Sequence, residues 1–572
     1  MGGLRLHASS DDPPEVRNWR VHLMALIVSF GALAMGYDTS VIGGTMALAP
    51  FRRDFGLDGK TSFQRDTLQG NIVSTFQAGT FFGALLTFPL GEKIGRKRAI
   101  MVASMIFLVG GTLMTASNGL LGLLYAGRGI AGFGIGSVSL LVPVYIAETS
   151  PPSIRGRLVG IFEILSQGGG MLGFWINYAV NQTISDRLKT QWIIPLALQL
   201  LPGLFLLVGI LWCPESPRWY AKTDQLEKAA TTLSWIRGLP QDHPYIQQEL
   251  SEIRAQNIVA KPPPGVKSSN KYMFKRLFQK GTRNRIGTGL LLMAFQNLTG
   301  VNIITYYSPR IFETLGITGT DTKLFATGFY GLAKTLGMII FSVWLVERLG
   351  RRPGLIWGAF VGSLPMWYLG AYVMKADPSG AAAAGETSRG GAGYFAMVCV
   401  YLYGLIYCAT WQGITWVYCS EIFPMDIRML CVAITTADQW LWSFIISRTT
   451  PYMITSLGYG TYMFFASLMV CMGFWACEYS PHPALPRRLR HKCGCANHMI
   501  ADFFVPETKG KSLEDMEPIF GAPTVLDIKT ADDPEDAPGT TLDEKKLDSS
   551  KVTYIETTSP HEQRPIIRIL SA

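Results

Sequence analysis

The feature that most restricts the fold of this chain is a series of apolar runs, each about 20 residues long, that recurs along its length. A helix of that length crosses a hydrocarbon core of about 30 Å. The 572 residues are 48% hydrophobic and only 16% charged, whereas a soluble chain of this size would divide into several domains with polar surfaces. The pattern predicts an all-α integral membrane protein with twelve spans. The predicted spans lie near residues 22–44, 69–90, 98–117, 120–145, 158–180, 192–212, 284–307, 323–346, 352–374, 393–419, 430–455 and 459–477.

The net charge of +10 resides largely in short loops between the spans. Basic clusters occur at "GRKR" (95–98), "RGR" (155–157) and "ERLGRR" (347–352). This distribution argues against a nucleic-acid partner and, by the positive-inside rule, places these loops in the cytoplasm. With an even number of spans, both termini are then expected to be cytoplasmic.

The chain repeats short charged motifs in the same order in its two halves. The repeats are "EKIGRK" (92–97) with "ERLGRR" (347–352), "ETSPPSIR" (148–155) with "EIFPMDIR" (421–428), and "PESPR" (214–218) with "PETKG" (506–510). Two related halves with a substrate site between them near the bilayer midplane are one known transporter plan. The expected segments are a cytoplasmic tail 1–21, a six-helix half 22–212, a cytoplasmic loop with short helices 213–283, a second six-helix half 284–505 and a cytoplasmic tail 506–572, disordered after 521.

A basic, Pro-rich block at 477–502 has no counterpart in the first half. It includes His491, Cys493, Cys495 and His498, which are too closely spaced for a structural zinc site, so no metal is predicted. We interpret the block as an atypical insertion. One hypothesis is an unspliced intron, which sequencing of the mature transcript would test.

Several ordered signatures resemble the sugar porter family of the major facilitator superfamily, and most of all its fungal quinate and galacturonate branch. They are "GYDTSVIGG" (36–44), "GRGIAGFGIGS" (127–137), "PVYIAETSPPSIRGR" (143–157), "PESPRWY" (214–220), "FQNLTGVNIITYYSP" (295–309), "WVYCSEIFP" (416–424) and "VPETKG" (505–510). The resemblance extends from Trp19 to Phe520. It implies the major facilitator fold, with twelve transmembrane helices in two pseudo-symmetric six-helix halves, and alternating-access transport without a cofactor other than the proton as coupling ion.

Asp38 lies in the first predicted span and Arg128 in the fourth. Ionisable side chains inside a bilayer are costly, so each is a functional candidate. The ionised Asp38 would hold Arg128, and protonation would remove that attraction and let the helices rearrange. The resemblance implies this proton-coupling role, because proton-coupled sugar porters carry Asp at this place. A static salt bridge that only positions helices is the alternative.

The resemblance also implies an inner gate built from charged residues in the basic loops. A single exposed ion pair contributes little, but pairs repeated in both halves can shift the balance between outward-open and inward-open states. The predicted gating residues are Glu92, Arg96, Glu148, Arg155, Glu215, Glu347, Arg351, Glu421 and Arg428.

The seventh span supplies amides suited to a polyhydroxylated substrate. Gln296, Asn302 and Tyr306 fall roughly on one helical face. Amides both donate and accept hydrogen bonds, which suits vicinal hydroxyls. The family uses the positions of Gln296, Asn302 and Trp416 for sugar, and Trp416 could stack on a sugar ring. At the position of Asn297 many relatives have a second Gln. The Asn297 side chain is shorter, so its contact with the substrate has less reach.

This sequence departs from the neutral-sugar pattern by extra charges. Glu163 stands where sugar porters usually place a Gln, and Gln167 follows one turn later. Lys334 lies one turn beyond a position where the family usually has Asn. The eleventh span adds Asp438, Gln439 and Arg448. Lys334 either forms a structural bridge with Glu163 or Asp438, or meets a substrate carboxylate.

We therefore predict a monomeric, proton-coupled symporter of the plasma membrane that imports galacturonate, quinate or a similar acid. A neutral hexose or pentose is the alternative substrate. A nutrient sensor with the same fold is a second class of hypothesis, which the retained Asp38 disfavours. The chain has no nucleotide-binding loop, nucleophile triad or credible metal site, so it is not expected to be an enzyme.

Overall fold

The long helices of this chain form a membrane-spanning bundle. The computed structural model describes residues 13–151, 153–260, 270–279, 281–317, 319–345, 348, 350–378, 390–423, 427–477 and 506. Twelve long helices occur in this described part. They are α1 (Trp19–Thr45), α2 (Ser62–Ile94), α3 (Arg96–Thr115), α4 (Leu121–Thr149), α5 (Arg155–Thr183), α6 (Thr190–Trp212), α7 (Thr282–Thr314), α8 (Thr320–Leu345), α9 (Arg351–Ala376), α10 (Gly390–Tyr407, Cys408–Gln412 and Gly413–Glu421), α11 (Arg428–Leu457) and α12 (Gly460–Cys477). Eleven have the hydropathy of a membrane span, and α9, with 26 residues, has the length. The predicted twelve-helix fold is confirmed.

Helices α1–α6 and α7–α12 make up the two halves. In the first half, α1 packs against α5, and α4 packs against α2 and α3; in the second, α9 packs against α10 and α12. Helices α2 and α5 of the first half pack against α11 and α8 of the second. The space left between the halves along α1, α7, α10 and α11 contains the candidate site.

Glycines allow the closest of these helix contacts. A Cβ atom at Gly132 in α4 would lie 2.2 Å from the carbonyl oxygen of Phe76 in α2. A Cβ atom at Gly36 in α1 would lie 1.7 Å from the carbonyl oxygen of Ser166 in α5. Any larger residue would therefore separate the backbones. This is the small-residue packing that membrane helices use in place of a hydrophobic driving force.

Two helices are irregular beside the central cavity. Helix α7 consists of Thr282–Leu298 and Val301–Thr314, separated at Gly300, whose φ of 90° is left-handed. Helix α10 contains a π-helical segment at Cys408–Gln412. Irregular backbone within a membrane is tolerated where it is buried in protein or lines a cavity. Both irregularities therefore mark the region between the halves.

One end of the bundle carries the basic loops, and we call it the basic end, defined by Arg96, Arg155 and Arg351. The short helices of the loop between the halves are Pro217–Lys222, Leu226–Arg237, Pro244–Ala260 and Asn270–Leu277. Arg237 docks this loop on α4, because it pairs with Glu249 at 2.6 Å and donates to the Thr149 carbonyl at 2.8 Å. Apart from Cys477, the proposed insertion 477–502 lies outside the described residues, as do His491, Cys493, Cys495 and His498.

Candidate functional site

Asp38 and Arg128 form a fully buried ion pair. Arg128 Nη1 lies 2.6 Å from Asp38 Oδ1, and both side chains are 0% exposed. Arg128 Nε also donates to the Ile72 carbonyl at 3.2 Å, and the guanidinium lies 4.6 Å from the ring centroid of Phe76. Asp38 Oδ2 and Arg128 Nη2 have no hydrogen-bond partner among the described residues. The pairing predicted from the sequence is thus present, with spare capacity on both partners.

A central cavity of about 90 Å³ lies between the halves. Six of the predicted substrate residues line it, and they are Gln167, Asn302, Tyr306, Lys334, Trp416 and Gln439. The other lining residues include Thr305, Tyr407, Gln412, Trp440 and Ser443. The wall therefore combines aromatic rings, amides and hydroxyls with one cation. This mixture can bind a small polyol through stacking and paired hydrogen bonds.

Lys334 is the cation of that wall. Its Nζ donates to Thr305 Oγ1 at 3.3 Å and lies 5.7 Å from the ring centroid of Tyr330. Within the described part of the chain, no carboxylate forms an ion pair with it. The predicted structural bridges to Glu163 and Asp438 are therefore not formed in this conformation. The ammonium group has three donors, so it retains capacity for an acceptor in the cavity.

Glu163 and Asp438, the two carboxylates predicted to bridge to Lys334, have other neighbours. Glu163 Oε2 accepts from Gln412 Nε2 at 3.3 Å. Asp438 lies near Trp442 and Cys419, outside the cavity wall, and its Oδ2 has no partner among the described residues. Neither carboxylate therefore forms an ion pair with Lys334 in this conformation.

A run of amides joins α7 to α11. Asn297 Nδ2 donates to Gln439 Oε1 at 2.6 Å, and Asn297 Oδ1 accepts from Asn302 Nδ2 at 2.6 Å. Ser443 Oγ lies 3.4 Å from both Asn302 Nδ2 and Tyr306 Oη. Asn297 is buried behind Gln439 and Asn302 and does not line the cavity. The structure therefore does not bring Asn297, a predicted substrate residue, to the cavity wall in this conformation, and Asn297 orients the two amides in front of it.

Gln412 is a cavity residue that the sequence reasoning missed. Its side-chain amide bonds to Glu163 and to Gln296, both predicted to contact substrate, and Gln412 itself lines the cavity. Neither Glu163 nor Gln296 lines the cavity, so direct contact by these two is also not found here. The available signal was the spacing, because Gln412 precedes the predicted Trp416 by four residues in the same span.

Arg448 lies away from the central cavity. Its Nη1 donates to Tyr452 Oη at 2.9 Å, and Tyr452 Oη donates to Thr67 Oγ1 at 2.9 Å. Arg448 follows Gln439 by nine residues, which at 1.5 Å per residue displaces it by about 13 Å along α11. The structure does not bring the predicted substrate residue Arg448 to the central cavity, and its partners are at the end of the bundle opposite the basic end.

A second cavity, of about 390 Å³, opens toward that opposite end, and Tyr306 lines both cavities. Ion pairs and hydrogen bonds beside it cross between the halves. Arg310 Nη1 lies 2.7 Å from Asp66 Oδ1, and Arg310 Nη2 donates to Thr455 Oγ1 at 2.6 Å. Thr455 Oγ1 in turn donates to Asp66 Oδ2 at 2.5 Å. These groups join α2 to α7 and α11.

The predicted gating charges of the first half are assembled at the basic end. Arg96 Nη2 lies 3.1 Å from Glu92 Oε1 and 3.0 Å from Glu148 Oε1. Glu92 also pairs with Lys222. Glu215 Oε1 accepts from the backbone N–H of Arg96 at 2.8 Å and so caps the N-terminus of α3. Burial raises the pKa of Glu215, whereas the hydrogen bond from the Arg96 N–H acts to lower it.

The charges of the second half are arranged more simply. Arg351 Nη2 lies 2.7 Å from Glu421 Oε1. Arg428 lies near Arg155 and Glu148 of the first half, which act on its charge in opposite directions. Glu347 lies outside the described residues. The structure thus brings charges of both halves together at the basic end.

Comparisons with known proteins agree with this architecture. The family described as "Sugar (and other) transporter" matches residues 24–483. A probable quinate permease of Aspergillus clavatus is 41% identical over 530 residues, covering 91% of each chain. The quinate permease of Emericella nidulans is 39% identical over 530 residues, covering 91% of this chain and 92% of the relative. The solved structure of the proton:xylose symporter XylE bound to 6-bromo-6-deoxy-D-glucose has a TM-score of 0.69 and 25% identity, covering 87% of this chain and 99% of that one.

Proposed function

The chain belongs to the sugar transporter family of the major facilitator superfamily, and from that premise we propose that it is a proton-coupled symporter for quinate or a closely related polyhydroxy monocarboxylate such as galacturonate. As a member of this family it is a multi-pass membrane transporter of small molecules and not an enzyme. The observation that carries the proposed substrate is Lys334, a cation in the cavity wall that pairs with no carboxylate among the described residues.

The substrate would bind with its carboxylate on Lys334. A cation in a water-poor cavity attracts an anion more strongly than in bulk water, because the effective dielectric constant is lower. Thr305 and Tyr330 keep the ammonium group in place through a hydrogen bond and a ring contact. The hydroxyl groups would bind to Asn302, Gln439 and Ser443, whose amides and hydroxyl both donate and accept. Lys334 would then recognise the charge of the substrate, and the residues on another side of the same cavity would recognise its hydroxyl groups.

Coupling to a proton has an electrical rationale for an anionic substrate. Moving one negative charge into a negative cell interior costs about 2.3 kcal/mol per 100 mV of membrane potential. A proton that travels with the anion cancels this charge. Asp38 is the proposed proton carrier: protonation neutralises the carboxylate, weakens its hold on Arg128 and frees α1 to move against α4. Release of substrate and proton inside would reset the pair.

The predicted gating charges would hold the basic end closed while the opposite cavity is accessible. We propose that this end lies on the cytoplasmic side of the plasma membrane, because the basic loops follow the positive-inside rule. Both termini would then be cytoplasmic, and the working unit would be the monomer. Fusion of a protease-sensitive tag to either terminus, followed by digestion of intact cells, tests the topology: the tags should stay uncut, and cleavage without lysis would refute it.

A neutral hexose or pentose is the second candidate, favoured by the uncharged amides of α7 and α11. Purified protein in liposomes, with an acidic exterior, distinguishes the two. Labelled quinate, galacturonate, glucose and xylose are each offered at the same concentration. We expect quinate or galacturonate to accumulate and to be lost on adding a protonophore. Preferential uptake of glucose or xylose would overturn the acid-substrate proposal.

A further inference from the structure

Gln412 occupies an unusual place in the wall of the central cavity. It ends the π-helical segment Cys408–Gln412 of α10, and its side chain lines the cavity. Three helices hold its amide. Glu163 on α5 and Gln296 on α7 approach it from behind, and Tyr407 approaches it from its own helix.

The contacts of this amide fix which end of it points where. Gln412 Nε2 donates to Glu163 Oε2 at 3.3 Å. Gln412 Oε1 accepts from Tyr407 Oη at 2.9 Å and from Gln296 Nε2 at 3.3 Å. Because Glu163 Oε2 accepts this hydrogen bond, the NH₂ group of Gln412 faces the carboxyl group of Glu163. The oxygen then has both lone pairs engaged.

One hydrogen-bonding group of Gln412 remains. The NH₂ group has two protons, and only one is used by a described residue. Behind it, Gln296 Oε1 is buried and has no partner within the described residues. The wall at this point therefore offers the cavity an N–H donor whose direction is set by its neighbours. A substrate hydroxyl is a suitable acceptor for that donor.

We propose that Gln412 is a specificity-determining residue whose N–H donates to one hydroxyl of the substrate, with Glu163 and Gln296 as positioning residues that orient it. This inference rests on the proposed transport of a polyhydroxy acid. A site built to donate to a hydroxyl discriminates against an analogue that lacks it, because the donor is then left unpaired.

The test measures, in proteoliposomes, how well analogues of quinate that each lack one hydroxyl compete with labelled quinate. For the unmodified chain, we expect one analogue to bind about 3- to 10-fold more weakly on account of this contact. In Gln412→Ala that analogue and quinate should compete equally, while the penalties for the other analogues persist. Gln412→Met, which keeps the length of the side chain, should behave in the same way.

Thr410→Ala is the matched control, since Thr410 belongs to the same π-helical segment but bonds to the Ile406 carbonyl at 2.7 Å and does not line the cavity. This variant should leave unchanged how well each analogue competes relative to quinate. Glu163→Gln tests the positioning role: an amide at 163 can donate or accept, so the same analogue should lose part of its penalty and the others none. If every analogue, including the one assigned to this contact, still competed more weakly than quinate in both Gln412 variants, the inference would be overturned. No quinate uptake by the unmodified chain would instead overturn the proposed function on which it rests.

Discussion

Two of the buried cations, Arg128 and Lys334, have opposite surroundings. Arg128 is 0% exposed and has a carboxylate, Asp38, at 2.6 Å. Lys334 is 9% exposed, lines the central cavity, and has a hydroxyl and an aromatic ring as neighbours but no paired carboxylate among the described residues. The two sites belong to different halves, one between α1 and α4 and the other on α8.

The difference teaches what each cation requires to be stable. A buried charge is retained only if it is paired or if it serves a function. Arg128 is satisfied by the protein itself, and only a proton on Asp38 changes that balance. Lys334 is satisfied incompletely and can be neutralised by an anion that enters the cavity. In this account, Arg128 responds to protons and Lys334 responds to substrate.

The largest expected effect is on coupling. Asp38→Asn removes the group that would carry the proton but retains a side chain of the same shape. We expect acid-driven accumulation of quinate to be abolished, while exchange of labelled for unlabelled quinate across the membrane continues. Accumulation that still follows the proton gradient in this variant would show that Asp38 is a static partner of Arg128.

A second comparison concerns stability. Arg128→Met leaves Asp38 charged and buried, which should destabilise the fold by about 3–5 kcal/mol. Lys334→Met leaves no carboxylate unpaired, so its unfolding temperature should not fall. Thermal unfolding in detergent measures both, and Arg128→Met with Asp38→Asn in one chain should recover part of the loss. Equal destabilisation by the two single variants would contradict the contrast between the sites.

A smaller effect is expected at the basic end. Glu421→Gln weakens the pair with Arg351, whose side chains are 26% and 14% exposed. Exposed or half-buried pairs contribute about 0.2–1 kcal/mol, so the balance between the open states should shift by no more than about fivefold. Accessibility of a cysteine introduced at the basic end to a thiol reagent reports this balance. No change in labelling rate would argue against a gating role for this pair.

The smallest effect is predicted for Arg448, another cation within the bundle. Arg448→Ala should change the KM for quinate less than about twofold, because its contacts are with Tyr452 and lie far from the cavity. It serves as a matched control for loss of a positive charge in a span. A KM change as large as that of Lys334→Met would indicate that charge alone, and not position, matters.

Hydropathy located the helices because the cost of burying polar backbone in lipid acts locally, run by run. Asp38 and Arg128 were found in the sequence because charges in spans are rare and the family resemblance identified the pair. The partners of Lys334 and the depth of Arg448 depend on helix rotation and position, which hydropathy does not give. Gln412 was missed because a neutral amide does not stand out in an apolar run, and because a π-helical turn alters the face that spacing predicts.

The most direct test of the account is the preference for a negative charge at Lys334. Uptake by the unmodified chain and by Lys334→Met is compared for quinate and for its neutral carboxamide. A charge-assisted hydrogen bond contributes about 1.5–3 kcal/mol, so the unmodified chain should prefer quinate by about 10- to 100-fold in KM, and the variant should show little or no preference. An undiminished preference for quinate in Lys334→Met would contradict the central claim.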